Sequence, residues 1–172
     1  MTLTTLLVLG GARSGKSRYA EARIRAEAGE PVYIATAQAF DDEMVERIAR
    51  HRDDRGSGWR TVEAPLDLPA ALRAESGTGA AVLVDCLTLW TTNLLLGGVD
   101  VDDATERLLA ALRSHSGPIA LVSNEVGLGI VPDNALSRRF RDAAGRMNQA
   151  VAATVDEVQF IAAGLPLRLK SA

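Results

Sequence analysis

Short apolar runs alternate along the chain with longer stretches of helical periodicity. The apolar runs predict strands at residues 4–9, 32–35, 59–63, 80–85, 118–122 and 157–163, and an edge strand at residues 167–170. The stretches between them predict helices at residues 18–28, 41–53, 67–75, 86–96, 102–114 and 134–154. Such alternation is typical of an α/β protein with a largely parallel sheet. A turn signal at Gly164-Leu165-Pro166 predicts that the last two strands form an antiparallel hairpin at the sheet edge.

Composition narrows the class of protein without deciding its function. A chain of 172 residues, 47% hydrophobic and 24% charged, suits one globular domain with a sizeable core. The formal net charge of −3 gives no general attraction to nucleic acid or to anionic membranes, and neither partner is expected. Cys86 is the only cysteine, which excludes an intramolecular disulfide and a cysteine-based metal cluster. No apolar run suits a signal peptide or a membrane span, so the expected location is the cytoplasm.

The segment at residues 10–17 fits the phosphate-binding pattern G-x-x-x-x-G-K-[ST]. Its members are Gly10, Gly11, Ala12, Arg13, Ser14, Gly15, Lys16 and Ser17. A predicted strand precedes the segment and a predicted helix follows it, as this motif requires, so we expect a three-layer fold like that of P-loop NTPases. Lys16 is expected to reach the β- and γ-phosphates, and the Ser17 hydroxyl to bind Mg²⁺. The alternative is an ordinary glycine-rich turn.

Asp85 ends a fully apolar strand, as the magnesium-binding aspartate of P-loop proteins does. Its carboxylate is expected to hold Mg²⁺ directly or through water. The alternative is that Asp85 caps the following helix. The polar turn Thr36-Ala37-Gln38 and the glycine-rich loop at residues 123–129 also follow predicted strands, where open α/β sheets bind ligands.

His51 lies on the predicted helix at residues 41–53, on the same face as Met44 and Ile48. Several arginines surround it in the sequence. A neutral imidazole can attack phosphorus and form a phosphoramidate, and nearby arginines would lower its pKa. The alternative is a half-buried histidine that stabilises the helix end. The residues alone favour this structural role.

Segments along nearly the whole chain resemble the bifunctional adenosylcobinamide kinase / adenosylcobinamide-phosphate guanylyltransferase family of cobalamin biosynthesis. Beyond the phosphate loop, the matching segments are Tyr33–Ala37, Asp41–Met44, Arg47-Ile48, His51-Arg52, Trp59–Glu63, Asp85–Thr88, Asn93–Leu95, Ser123–Pro132 and Phe140–Gln149. These segments are not general nucleotide-binding motifs, which makes the resemblance specific.

The resemblance implies two reactions. The kinase step moves the γ-phosphate of ATP or GTP to the aminopropanol hydroxyl of adenosylcobinamide. The second step moves GMP from GTP onto the resulting phosphate and releases pyrophosphate. It passes through a guanylylated histidine, which matches His51. The resemblance also implies a homo-oligomer, usually a trimer.

The family's nucleotide contacts map onto residues outside the phosphate loop. The matching positions are Ala35, Thr36, Ala37, Arg52, Asp53, Asp54, Arg55, Glu63 and Asp85. Two other functions stay open at this point: a monofunctional P-loop kinase of a small metabolite, and a regulatory GTPase. A GTPase is disfavoured because the chain lacks both an N-K-x-D signature and a D-x-x-G after the Asp85 strand.

Overall fold

A computed structural model of the chain describes residues 5–39 and 42–171; for residues 43, 44, 47, 51, 52, 54 and 55 it describes the backbone and not the side chain. The strands are β1 Thr5–Gly10, β2 Pro31–Ala35, β3 Arg60–Glu63, β4 Ala81–Asp85, β5 Ile119–Asn124, β6 Glu157–Ala162 and β7 Leu165–Lys170. The helices are α1 Lys16–Arg25, α2 Asp42–Arg55, α3 Leu68–Glu75, α4 Leu87–Leu96, α5 Val101–Ser114 and α6 Ala135–Thr154.

All seven strands join one sheet in the order β3-β2-β4-β5-β1-β6-β7. Every pairing is parallel except the antiparallel β6–β7 hairpin. The predicted α/β class, the largely parallel sheet and the C-terminal edge hairpin are therefore confirmed. Strand β1, which leads into the phosphate loop, lies between β5 and β6, and β5 separates it from the β4 strand of Asp85.

Two of the differences between the predicted and the observed element boundaries have a clear physical reason. The hairpin turn is Ala163-Gly164, with φ angles of 51° and 78°, rather than Gly164-Leu165-Pro166. Pro166 instead lies within β7, because an edge strand tolerates a residue without an N–H. Helix α1 ends at Arg25, one residue after its last buried side chain, Ile24, and none of residues 26–28, where the helix was predicted to continue, is buried.

Helices cover both faces of the sheet and form two apolar cores. On one face, Ala20 and Ile24 of α1 pack with Leu6, Val8 and other strand residues. On the other face, side chains from α3, α4, α5 and α6 form a larger core around the fully buried Trp90. The predicted three-layer arrangement is thus confirmed. Within the ranges given above, no helix is both long and apolar enough to cross a membrane.

Polar contacts fix the strands that flank the phosphate loop. Thr5 and Asp156 bond reciprocally at the start of β1: the Thr5 hydroxyl donates to the Asp156 carboxylate at 2.7 Å, and the Asp156 N–H donates back at 2.9 Å. Arg23 of α1 forms a two-pronged ion pair with Glu157 of β6, at 2.9 and 2.7 Å. The paired Arg23 guanidinium lowers the pKa of the Glu157 carboxyl. These contacts hold α1, β1 and β6 in one register.

Candidate nucleotide site

At the first glycine of the phosphate loop, Gly10, neighbouring atoms leave no room for a Cβ. A Cβ at Gly10 would lie 2.5 Å from the Ser14 Oγ and 2.7 Å from the Ile161 carbonyl oxygen. Gly15 has a φ of 94°, and a Cβ there would lie 3.2 Å from the Gly164 Cα. The Gly164 N–H donates to the Ser14 carbonyl at 2.8 Å, so the hairpin turn supports the loop from behind. Close approach of neighbouring backbone therefore requires glycine at position 10, and the positive φ favours glycine at position 15.

The amino end of α1 is left open for an anion. Its N-cap, Gly15, supplies no side-chain hydrogen bond, and the first turn carries no acidic residue. The first N–H groups of any helix lack partners within the helix and present partial positive charge. Lys16 is only 9% exposed, and its ammonium donates to the Gly11 carbonyl at 3.0 Å, which holds the charge over the loop. Phosphate oxygens suit both features.

Asp85 ends β4 at the same edge of the sheet and does not cap the next helix. Cys86 caps α4 instead, its sulfur accepting from the Leu89 N–H at 3.5 Å. Burial raises the pKa of the Cys86 thiol to about 12, so the thiol stays neutral and unreactive at pH 7. The Asp85 carboxylate is thereby left available for another role.

Thr36, predicted to contact nucleotide, is fully buried with its polar groups bonded to protein. Its hydroxyl donates to the Cys86 carbonyl at 2.7 Å and accepts from the Cys86 N–H at 2.8 Å. Its carbonyl accepts from the Asn93 amide at 2.7 Å, and its N–H donates to the Asp85 carbonyl at 3.3 Å. Thr36 therefore ties the end of β2 to the segment that carries Asp85.

The predicted site residues that end strands fall along one edge of the sheet. Ala35 is the register partner of both Glu63 and Asp85, and Gly10 is the partner of Asn124. Glu63 is exposed at the end of β3. Four strand spacings separate β3 from β1, or about 19 Å at ~4.8 Å each. That span is comparable to an extended nucleoside triphosphate.

The structure describes the basic segment of α2, residues 51–55, mainly by its backbone. His51, Arg52, Asp54 and Arg55 lie on the helical backbone of α2, but their side chains are outside the described part of the structure. Asp53 is exposed. The predicted helix is confirmed here, and the roles of these five side chains stay predictions.

Sequence reasoning missed a polar network beneath the loop. The Ser123 hydroxyl donates to the Asn148 side-chain oxygen at 2.7 Å, and the Asn124 N–H donates to the Thr88 hydroxyl at 2.7 Å. Asn93, in an otherwise apolar helix, donates to the carbonyls of Thr36 and Pro65. Two signals pointed to Asn93, its amide inside the apolar run Leu87–Leu96 and its place in a segment of family resemblance, but neither showed its partners.

The donor set suits a hard cation such as Mg²⁺. Asp85 offers carboxylate oxygens and Ser17 a hydroxyl in the first turn of α1, and both side chains are partly exposed. Among the described residues there is no cluster of three or more His, Cys, Asp or Glu able to hold a metal. Mg²⁺ typically takes one or two carboxylates and fills its shell with substrate phosphates and water, which fits this arrangement.

Comparison with solved structures supports the fold. The chain has a TM-score of 0.56 and 12% identity to a prototypical ATPase of a type III secretion system, covering 96% of this chain and 56% of that one. At that identity the likeness shows the fold alone, which is that of a P-loop NTPase.

Relatives at higher identity cover nearly the full chain. It is 56% identical over 167 residues to the bifunctional adenosylcobalamin biosynthesis protein CobP of Pseudomonas aeruginosa, covering 95% of this chain and 96% of that one. It is 44% identical over 180 residues to CobU of Salmonella typhimurium, with 96% and 99% covered. The family model for cobinamide kinase / cobinamide phosphate guanyltransferase matches residues 6–169. The chain belongs to the cobinamide kinase / cobinamide phosphate guanyltransferase family.

Proposed function

We propose that the phosphate loop and the strand ends beside it bind the nucleotide for both reactions of a bifunctional transferase. As a member of its family, the protein acts in cobalamin biosynthesis as an adenosylcobinamide kinase and adenosylcobinamide-phosphate guanylyltransferase. The observation that carries the site assignment is the open amino end of α1 behind a loop whose first glycine admits no Cβ.

In the kinase step, the γ-phosphate of ATP or GTP passes to the aminopropanol hydroxyl of adenosylcobinamide. Phosphoryl transfer depends mainly on positioning and on charge neutralisation. Backbone N–H groups of residues 10–17 hold the phosphates, and the buried Lys16 ammonium turns from the Gly11 carbonyl to the β- and γ-oxygens. Ser17 and Asp85 would hold Mg²⁺, which supplies charge neutralisation to the transferred group.

In the guanylyl step, a neutral His51 imidazole attacks the α-phosphorus of GTP, and pyrophosphate leaves. The phosphate of adenosylcobinamide phosphate then displaces the imidazole and yields adenosylcobinamide-GDP. Splitting one displacement into two means that GTP and the large corrinoid need not be bound in line together. Arg52 and Arg55 lie beside His51 in sequence and suit the phosphate charge, while Asp53 and Asp54 complete the segment that the family resemblance assigns to nucleotide.

The guanosine end of GTP lies toward β2 and β3 in this proposal. Ala35 and Ala37 border the strand end that Thr36 fixes, and Glu63 is exposed beyond it. A carboxylate accepts two hydrogen bonds at once, and guanine offers two adjacent N–H donors along one edge. Glu63 is therefore suited to select guanine.

Labelling with GTP that carries a radioactive α-phosphate tests the guanylyl step. The wild-type protein should acquire a label that is lost in acid and kept in base, as a phosphoramidate requires. The His51→Ala variant should acquire none. The chain has two histidines, so His115→Gln serves as the matched control and should keep the label. An unlabelled wild-type protein, or a labelled His51→Ala variant, would contradict the proposal.

The protein is also proposed to form a homo-oligomer, a trimer by family resemblance, in the cytoplasm where its nucleotide substrates are found. Strand β7 ends the sheet and carries Leu165, Leu167 and Leu169 on alternate positions, 72%, 60% and 57% exposed. An exposed apolar edge strand can pair with other chains and aggregate unless another surface covers it. A second copy of the chain is the covering surface that an oligomer provides.

Light scattering after size-exclusion chromatography tests the oligomer. The wild-type mass should be about three times the 18.2 kDa of one chain, and Leu167→Arg should lower it. Leu96→Arg, at an equally exposed leucine on α4, is the control and should leave the mass unchanged. A monomeric wild type would contradict the oligomer, and an unchanged mass in Leu167→Arg would exclude β7 as its contact.

A further inference from the structure

Asn124 lies between the two halves of the proposed phosphate site. It ends β5, the strand that separates the phosphate-loop strand β1 from the Asp85 strand β4. In register, Asn124 is the partner of Gly10 and stands two residues beyond the partner of Asp85, Val122.

The pleat of the sheet directs the Asn124 side chain toward α1. Side chains of successive strand residues point to opposite faces. Val122 packs in the α1-side core, whereas the Ser123 hydroxyl bonds Asn148 of α6 on the other face. Asn124 therefore returns to the face of Val122. By the same alternation, Asp85 shares that face, because Leu83 packs in the α1-side core and Val84 in the other.

The Asn124 side-chain oxygen is buried and has no hydrogen-bond partner among the described residues. A buried polar atom left without a partner costs about 1–3 kcal/mol, so such an atom calls for an explanation. Its main chain, by contrast, is tightly held: the N–H donates to the Thr88 hydroxyl at 2.7 Å, and the carbonyl accepts from the Asn148 amide at 3.3 Å. The backbone of Asn124 is thus fixed, while its side-chain oxygen is unused.

A side-chain amide oxygen accepts hydrogen bonds and cannot donate them. Phosphate oxygens of a bound nucleotide offer no proton to it, whereas the acceptor alcohol of the kinase step carries an O–H. Resting on the proposed function, we propose that the Asn124 side chain turns toward the phosphate site and that its oxygen accepts the hydrogen bond of this alcohol. Asn124 thereby orients an alcohol lone pair toward the γ-phosphorus.

The step balances without any proton being taken by Asn124. The alcohol oxygen forms a bond to the γ-phosphorus, and the bond from that phosphorus to the β,γ-bridging oxygen breaks. The nucleoside diphosphate leaves with the electron pair, and the alcohol proton passes to an oxygen of the transferred phosphoryl group. The amide only positions the nucleophile, an effect worth on the order of 100-fold in rate when it is lost.

The guanylyl step supplies an internal control, because its acceptor is a phosphate rather than an alcohol. Asn124→Leu keeps the side-chain shape and removes the acceptor oxygen, and Asn124→Asp keeps an acceptor oxygen. We expect Asn124→Leu to lower kcat for phosphorylation of adenosylcobinamide on the order of 100-fold. Guanylyl transfer to adenosylcobinamide phosphate, and the GTP label on the protein, should change only a few-fold. Asn124→Asp should recover part of the kinase rate.

Asn134→Ala is the matched amide control, because the Asn134 oxygen accepts from the Ser137 N–H at 2.8 Å and caps α6. It should reduce stability and leave both reactions near wild type. Equal losses of both reactions in Asn124→Leu would overturn the proposal in favour of a nucleotide contact, and unchanged kinetics would overturn it outright. A wild-type protein that phosphorylates no cobinamide would instead refute the kinase function, and this inference with it.

Discussion

Helices α1 and α5 begin in opposite ways. At α5, the Asp100 side chain accepts from the Asp103 N–H at 2.9 Å, and Asp102 and Asp103 add negative charge to the first turn. At α1, Gly15 supplies no cap and the first turn contains Lys16, Ser17 and Arg18. The α3, α4 and α6 caps likewise use side chains. Among the helices whose caps are described, only α1 has no side-chain cap at its amino end.

The difference supports the proposed site with ordinary helix chemistry. At α5 a side chain satisfies an N–H group of the first turn for the helix's own stability, whereas at α1 we propose that phosphate oxygens do so. Neighbouring structure compensates: Arg23 pairs with Glu157, and the Gly164 N–H supports the loop from behind. Contacts around α1, rather than a cap at its first turn, thus stabilise it. Substitutions at the start of α1 should therefore act mainly on GTP affinity, and substitutions at the start of α5 on stability.

The largest effect is expected at the first glycine of the loop. Gly10→Ala places a methyl 2.7 Å from the Ile161 carbonyl oxygen, so the loop must move and GTP binding should be lost. Gly11→Ala is the matched control, since nothing lies within 4 Å of its added Cβ. Titration calorimetry with GTP and Mg²⁺ measures both. Equal affinities for the two variants would show that the loop shape does not determine binding.

The next largest effect is expected at Lys16. Replacement by methionine keeps an unbranched side chain that is one atom shorter at this 9%-exposed position and removes the charge. Loss of one preorganised charged donor lowers kcat by roughly 100- to 1,000-fold. Steady-state kinetics of cobinamide phosphorylation measures the loss, with circular dichroism to verify the fold. A rate within a few-fold of wild type would mean that Lys16 does not contact the transferred phosphate.

Substitutions that change the first-turn charge of α1 and the cap of α5 should affect GTP affinity and protein stability separately. Arg18→Glu gives α1 an acidic first turn like that of α5; it should add about 0.3–1 kcal/mol of stability and weaken GTP binding on the order of tenfold. Asp100→Ala removes the α5 cap and should reduce stability by about 1 kcal/mol with unchanged GTP affinity. Urea unfolding and calorimetry test the pair, and a loss of affinity in Asp100→Ala would argue against the distinction.

The smallest effect concerns pH and lies away from the nucleotide. The Arg60 guanidinium, bonded to Glu75 at 2.6 and 2.9 Å, lowers the pKa of that carboxyl below its ordinary value of 4.5. A depressed folded-state pKa contributes stability above pH 4.5 that is lost as pH falls through the folded pKa. Glu75→Gln should therefore be less stable than wild type at pH 7, and the gap should narrow below pH 4.5.

Urea unfolding across this pH range measures the gap. Asp103→Asn is the control, because the Asp103–Arg107 pair is exposed on both sides and pairs of that kind contribute about 0.3–0.5 kcal/mol. If the difference in stability between wild type and Glu75→Gln does not narrow below pH 4.5, the ion pair with Arg60 is not the source of the stability that Glu75 contributes.

The sequence predicts most local structure but little of its arrangement. Alternating apolar runs locate the strands, and the 10–17 motif identifies its own strand and helix, because these signals are local. Strand order is not local, so the position of β5 between β1 and β4 was not predictable, and neither was the orphaned oxygen of Asn124. Thr36 illustrates the same limit: its place at a strand end was evident, but its bonds to Cys86, 50 residues away, depend on that order.

The most direct test of the account is a crystal structure with Mg²⁺ and a non-hydrolysable GTP analogue. We expect phosphate oxygens about 3 Å from backbone nitrogens of residues 13–17, with Lys16 turned toward the β- and γ-phosphates and the metal between Ser17 and Asp85. A triphosphate bound elsewhere, with the amino end of α1 still uncovered, would contradict it.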